Sequence, residues 1–188
     1  MVLGKFLYFG DFVAGPIVIV LLALITAYGG GTGLLVAWLS ATAVGLASWT
    51  FLEYVIHRWI YHRVPGIKRY HDAHHDAPLE MIGAPSFVSL FIILGLCYLP
   101  LVPLGFATAS GFASGIILGY MGYMLVHHAT HHWQPRPGTW LYRARVHHMA
   151  HHFAKVEGNY GIVTSFWDRA FRTMVAKRKR TKDGWDFF

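Results

Sequence analysis

The stretch "FVAGPIVIVLLALITAYGGGTGLLVAWLSATAVGLASWTFL" (residues 12–52) contains no Asp, Glu, Lys or Arg. At about 1.5 Å of rise per residue, a helix crosses a hydrocarbon core of roughly 30 Å with about 20 apolar residues, so this run is too long for one crossing and suits two. Its middle carries "GGGTG" (29–33), a natural break between helices. The predicted helices are 12–28 and 34–56. A second run free of the same four residue types lies between Glu80 and Arg136 and breaks at "GFATASG" (105–111). It predicts helices at 86–105 and 111–128, the first of them kinked or shortened by Pro100 and Pro103. The fold class that follows is all-α and integral to a membrane, with four transmembrane helices in two hairpins.

The composition agrees. Of 188 residues, 55 % are hydrophobic and 13 % charged, against about a quarter charged in a soluble domain. The length suits a single domain, 1–188. The lone cysteine, Cys97, excludes an intrachain disulfide. The opening "MVLGKFLYFGDFVAGPIVIVLLALITAYGG" superficially resembles a signal peptide. Its apolar run is too long for one, and "AYGGGTG" makes a poor cleavage site, so a retained transmembrane helix is expected.

The formal net charge is +7, and its placement speaks for a membrane flank rather than for nucleic acid. Lys5, Arg58, Arg63, Lys68, Arg69, Arg136, Arg143, Arg145 and "KRKRTK" (177–182) fall on one side of the predicted helices, while the hairpin turns carry no charge. The positive-inside rule then places both termini and a cap formed by 57–80 and 129–188 in the cytoplasm. The basic tail suits anionic lipid or an acidic electron donor. Short turns on the far side favour a bacterial inner membrane over the endoplasmic reticulum.

All thirteen histidines fall on that same side, in "HRWIYH" (57–62), "HDAHH" (71–75), "HHATHH" (127–132) and "HHMAHH" (147–152). Helical residues three or four apart share a face, so His71, His74 and His75 can point one way, as can His148, His151 and His152. His57 and His62 lie about 140° apart on a straight helix, so they cannot grip one ion without unwinding, though each could reach a different one. So many neutral imidazoles suit iron, zinc or copper, and their number exceeds what one ion takes, which points to a dimetal centre. A haem held by paired histidines would leave most of the set unused. A metal transporter would place ligands and acidic partners near the midplane, where this chain has neither.

The order HxxxxH, HxxHH, HxxxH, HxxHH around two hydrophobic hairpins resembles the fatty acid hydroxylase / sterol desaturase superfamily. "NYGIVTSFWDRAFRT" (159–173) resembles that family's closing segment, with Arg172 where the pattern has glycine, which leaves the turn there open to difference. "HHDAPLEMIGAPSFVS" (74–89) resembles the link found in fatty acid 2-hydroxylases. The resemblance implies a non-haem di-iron site that uses O2 to hydroxylate an unactivated C–H bond of a membrane lipid acyl chain, in a fatty acid or ceramide. It implies as ligands His57, His62, His71, His74, His75, His127, His131, His148, His151 and His152. The doublets leave a second register, since His128 and His132 are also four apart, as are His147 and His151. Zinc is expected to replace iron on purification. With no fused cytochrome b5 domain in this sequence, electrons are expected from a separate cytochrome b5- or ferredoxin-like protein. The alternatives are a sterol or carotenoid oxidase or desaturase of the same superfamily, and a non-catalytic metal- or haem-binding membrane protein.

Ligating imidazoles need their other N–H held, commonly by a carboxylate or carbonyl. Glu53, Asp72, Asp76 and Asp168 are the nearby carboxylates, with salt bridges to Arg58, Arg63 or Arg169 as their plainer use. His128, His132 and His147 are the remaining polar neighbours. In "WQPRPGTWLYRAR" (133–145) the prolines should stop the fourth helix, and Trp133, Trp140 and Tyr142 suit interface anchors. The acyl chain is expected to pass between the aromatic and glycine-rich faces of the third and fourth helices.

Overall fold

The computed structural model describes residues 2–175. Two helices, α1 (Lys5–Phe9) and α2 (Asp11–Gly29), form one apolar stretch. Helix α3 (Gly31–Val55) runs on into a π-helical turn, Ile56–Tyr61, and α4 (Pro65–Asp76) follows with proline at its first turn. Helix α5 (Val88–Ile93) continues as a π-turn, Leu94–Tyr98, and a 3-10 turn, Leu99–Leu104. The long α6 (Phe106–His132), α7 (Trp140–Phe153) and the short α8 (Phe166–Ala170) complete the order. Among the described residues there is no strand, only an isolated bridge between Val2 and Ile82.

Among the described residues, three helices are long and apolar enough to cross a membrane: Lys5–Gly29, Gly31–Tyr61 and Phe106–His132. The predicted 86–105 helix is instead the shorter Val88–Leu104, interrupted twice. The two prolines account for its 3-10 end, because each removes a backbone donor from the α-helical ladder. The turn that follows is one residue, Gly105 at φ +96°, so α6 starts five residues before the prediction. Along α2, Val13, Ile17, Val20, Leu21, Leu24 and Ile25 are all more than half exposed. An apolar face of that extent suits lipid, not water.

The described chain divides into two units: residues up to Phe51 with Glu80–Gly122, and Leu52–Leu79 with Tyr123 onward. In the first, Gly111, Gly115 and Gly119 recur every four residues and form one ridge of α6. A Cβ on Gly111 would strike the Trp38 carbonyl, on Gly115 the Thr42 carbonyl and on Gly119 the Trp49 side chain, and one on Gly45 would strike the Phe112 carbonyl. Small residues at this spacing let two helix backbones touch, which is how helices associate where lipid removes the hydrophobic drive between them. The glycine face of α6 is thus packed against α3 and does not line a substrate passage as the sequence suggested.

The same unit buries a carboxylate. Asp11 is fully buried; it accepts from the Phe87 amide at 2.7 Å and the Tyr120 hydroxyl at 2.8 Å, and its own amide donates to Ser86 Oγ at 3.1 Å. With Ser86 N donating to the Leu7 carbonyl and Leu3 N to the Met81 carbonyl, these bonds tie the 81–87 connection to the N-terminal helices.

In the second unit, Thr139 caps α7 by accepting from the Tyr142 amide at 3.2 Å, the arrangement that satisfies an orphan donor of a first turn. The Arg145 guanidinium donates to the carbonyls of Thr130 and Trp133 at the end of α6, where cations suit the helix dipole. Helix α6 stops at His132, ahead of Pro135 and Pro137, and Trp133 and Trp140 are half exposed. The basic run "KRKRTK" lies outside the described residues.

Candidate metal centre

Every histidine belongs to the second unit, and ten of them gather into two sets of five. His57, His62, His71, His75 and His151 form one, and His74, His127, His131, His148 and His152 the other. His57 and His62, which a straight helix would keep from one ion, both join the first set. Residues 56–61 are π-helical, with hydrogen bonds from i to i+5. The wider turn brings a five-residue spacing back to one face. Each HxxHH motif is divided between the sets. His71 and His75 of α4 serve the first and His74 the second, while His148 and His152 of α7 serve the second and His151 the first.

Nε2 atoms do the gathering. In the first set, His57 to His71 is 3.2 Å, His71 to His62 3.0 Å, His75 to His71 3.0 Å and His62 to His151 3.3 Å. In the second, His131 to His127 is 3.2 Å, His148 to His131 2.8 Å and His152 to His148 3.1 Å. The His71 nitrogen meets three others, which hydrogen bonding cannot explain, because a neutral imidazole nitrogen either donates once or accepts. An ion about 2.1 Å from two nitrogens at right angles to each other sets them about 3.0 Å apart. The donor sets therefore fit a metal ion each. Rings of the two sets also touch: His75 and His152 stack at 4.1 Å.

The outer nitrogens are held by backbone in one region. His57 Nδ1 donates to the Tyr160 carbonyl at 2.5 Å and His151 Nδ1 to the Gly158 carbonyl at 2.8 Å. These bonds fix the tautomer and leave Nε2 as the lone-pair nitrogen. The turn that supplies both carbonyls is itself latched. Asn159 sits at φ +56°, gives Nδ2–H to the His147 carbonyl at 3.1 Å and accepts the Val175 amide at 2.8 Å. Asp168, fully buried, accepts the amides of Tyr160 at 2.9 Å and Gly161 at 2.8 Å, the Thr173 hydroxyl at 2.7 Å and His147 Nε2–H at 3.0 Å. The three carbonyl- and turn-forming residues 158–160 were not singled out individually by sequence reasoning. A carbonyl is common to every residue, and only the N-Y-G element hinted at them.

The other candidates take different places. His147 bonds Asp168 and lies outside both sets, as do His128 and His132, whose rings stack at 4.2 Å and 23°. The i,i+4 pairs inside the sets meet edge to face instead, at 72° for His71–His75 and 80° for His127–His131. Asp72 pairs with Lys68 at 2.6 Å on the surface, and Asp76 is exposed at the end of α4. Glu53, buried, accepts the amides of Ile162 at 2.5 Å and Val163 at 2.9 Å. Two of the arginines offered as plainer partners are engaged elsewhere: Arg58 donates to the Tyr54 hydroxyl and Arg63 pairs with Glu157. Arg172 takes φ +56°, so the turn keeps the left-handed conformation that glycine would adopt freely.

Electrostatics keep the imidazoles neutral. Burial first, then the neighbouring His75, pushes His74 down to about 4, and burial with His62 does the same for His75. His71, His148, His151 and His152 are likewise held well below the ordinary imidazole range by burial and by crowding from other imidazoles. Neutral rings near pH 7 offer lone pairs without bringing compensating negative charge to a bound cation.

Apolar helices of crossing length and two all-imidazole sets define the class: an integral membrane protein with histidine groups that could hold metal. The fatty acid hydroxylase family profile matches residues 42–173, and the chain belongs to that family. It is 32 % identical to a fatty acid 2-hydroxylase of Macaca fascicularis over 152 residues, which cover 74 % of this chain and 40 % of that protein. It is 31 % identical over 154 residues to a dihydroceramide fatty acyl 2-hydroxylase of Arabidopsis thaliana, covering 74 % of this chain and 62 % of the relative. The chain thus spans about two fifths of the mammalian relative's length. In fold it is similar to a solved structure of full-length Scs7p with only the hydroxylase domain visible, at TM-score 0.74 and 22 % identity, covering 90 % of this chain and 67 % of that one.

Proposed function

We propose that the chain is an O2-dependent di-iron hydroxylase that oxidises a C–H bond in the acyl chain of a membrane fatty acid or ceramide, adjacent to the carboxyl carbon. The observation that carries this reading is the convergence of ten imidazoles, each offering one ring nitrogen, in two sets of five. The relatives named as fatty acid and dihydroceramide 2-hydroxylases support the substrate class. The ligands would be His57, His62, His71, His75 and His151 for one ion, and His74, His127, His131, His148 and His152 for the other. Iron would supply the oxygen activation, and zinc would compete for the same all-nitrogen sites.

The chain's own residues would act by placement and charge. Neutral imidazoles leave the ions' positive charge available to reduced oxygen. The Tyr160 and Gly158 carbonyls hold the Nδ1–H of His57 and His151, so their Nε2 lone pairs stay aimed inward. One oxygen atom would enter the C–H bond and the other would leave as water, with two protons from solvent and two electrons from a separate donor of cytochrome b5 or ferredoxin type. The whole sequence would form one hydroxylase domain. Distribution of basic residues supports four crossings, with Val88–Leu104 as the third, and a cytoplasmic histidine cap.

Lipidomics of a host with and without the gene tests the reading. The expected result is 2-hydroxylated acyl chains that carry one atom of 18O from 18O2 and vanish in His74→Ala. Unchanged lipids from correctly folded, iron-loaded protein with a competent donor would overturn it, as would full product formation by His74→Ala.

A further inference from the structure

The two histidine sets are equal in number and unequal in support. In the first set two outer nitrogens are held: His57 by the Tyr160 carbonyl and His151 by the Gly158 carbonyl. In the second set the buried Nδ1 atoms of His148 and His152, and both ring nitrogens of His74, have no hydrogen-bond partner among the described residues. His148 is fully buried and His74 nearly so. An imidazole that binds an ion through Nε2 carries its proton on Nδ1. A buried N–H without an acceptor weakens the ring as a ligand and leaves its orientation to the metal alone.

The support on the first side is deep. Gly158 and Tyr160 lie in a turn whose amides end on Asp168 and whose middle residue, Asn159, is bonded on three sides: its amide to Thr173, its side-chain N–H to His147 and its side-chain oxygen to Val175. Asp168 touches no member of either set by hydrogen bond. Its contact is His147, which lies outside both.

We infer that the two ions bind in unequal steps. The set of His57, His62, His71, His75 and His151 fills first and holds its ion more tightly, and Asp168 is a positioning residue for that ion, acting through the 158–161 turn. The inference rests on the dimetal reading above and adds an order of filling to it. Fixing the outer nitrogens of ligating histidines is worth about 10–100-fold in affinity, so the two dissociation constants should differ by at least about ten-fold.

The test is a Co2+ titration of the metal-free full chain in detergent, read by d–d absorption and by competition with a chelator. The expected result is one tight and one weak step in the wild type. His127→Ala should remove the weak step alone, and His62→Ala the tight one. Asp168→Asn, where it folds, should weaken the tight step by about 10–100-fold and leave the weak one in place. Two ions bound in equal or cooperative steps would overturn the inference and leave the dimetal reading standing. So would loss of the tight step in His127→Ala with the weak one retained. Binding of no ion, or of one only, would overturn the dimetal reading and the order of filling with it.

Discussion

Replacing Asp168 with asparagine changes one atom and should cost the cap much of its stability. In the wild type, Oδ1 accepts from the Tyr160 amide and the Thr173 hydroxyl, and Oδ2 from the Gly161 amide and His147. Asparagine keeps one acceptor oxygen and turns the other into a donor. If the oxygen stays with Tyr160, the new NH2 faces the Gly161 N–H, and a buried amide loses its acceptor at about 1–3 kcal/mol. His147 can answer by exchanging its ring proton. The backbone amide has no such freedom. The surviving bonds also lose the charge on the acceptor, which separates bonds of about 1.5–3 kcal/mol from neutral ones near 1. Together the loss is about 3–5 kcal/mol. At about 2–4 °C per kcal/mol for a chain of this size, the apparent Tm in detergent should fall by roughly 6–20 °C. Thr173→Ala, which removes one donor, should cost about 1–2 kcal/mol. Circular dichroism melts of the metal-free proteins measure both. An Asp168→Asn melt within 2 °C of wild type would refute the claim that this carboxylate latches the turn.

Arg172→Gly should raise the apparent Tm by a few degrees: it removes roughly 1–2 kcal/mol of left-handed backbone cost and returns up to about 1 kcal/mol of glycine chain entropy. A fall in Tm would show that the Arg172 side chain contributes more than its backbone costs. Gly115→Leu should separate α3 from α6 and aggregate or melt well below wild type, because the added atoms meet the Thr42 carbonyl and the Leu46 amide. Gly122→Ala, whose Cβ meets nothing within 4 Å, is the matched control and should melt within about 2 °C. Metal-free protein should lose stability in acid. The folded pKa of His74 lies near 4, below the unfolded value of 6.5, so the unfolded chain binds the extra proton between those values. The stability is complete above pH 6.5 and declines as pH falls toward 4, on the order of 3 kcal/mol for His74 alone. A Tm that stays level from pH 7 to pH 4.5 would count against burial of the neutral ring.

Hydropathy and spacing made the membrane helices and the histidine groups legible, because both are properties of side chains in order. The glycine ridge was legible in principle too: Gly111, Gly115 and Gly119 stand four apart, yet the stretch was read as a hairpin break at one end and a passage wall at the other. What stayed hidden depends on backbone. Nothing in "HRWIYH" announces a π-turn, since i+5 bonding changes no residue type, and the α-helical wheel therefore separated His57 from His62. The carbonyls of Gly158 and Tyr160 were hidden for the same reason. Asp168 could be named as a carboxylate placed to support the histidines, but the route could not: it holds the turn whose carbonyls accept from His57 and His151.

The doublets that close the two HxxHH motifs now have a geometric purpose. Adjacent residues on a helix point about 100° apart, so a doublet can send one ring to each of two neighbouring ions while an i,i+4 pair keeps a second ring on one of them. His74 and His75 divide in this way on α4, and His151 and His152 on α7. Helices α4 and α7 are therefore tied to both sets, whereas the π-turn that extends α3 belongs only to the first and the end of α6 only to the second. If the ions bind as proposed, removing one would release a single outer helix and leave the α4–α7 pair bridged by the other. The stacked His75–His152 rings, one from each set and each helix, lie where that bridge would have to persist. Metal binding and assembly of the cap would then be one linked equilibrium, since the site requires several segments at once and does not exist in the unfolded chain. A second register, using His128 with His132, would break this arrangement, because those rings stack on each other and join neither set.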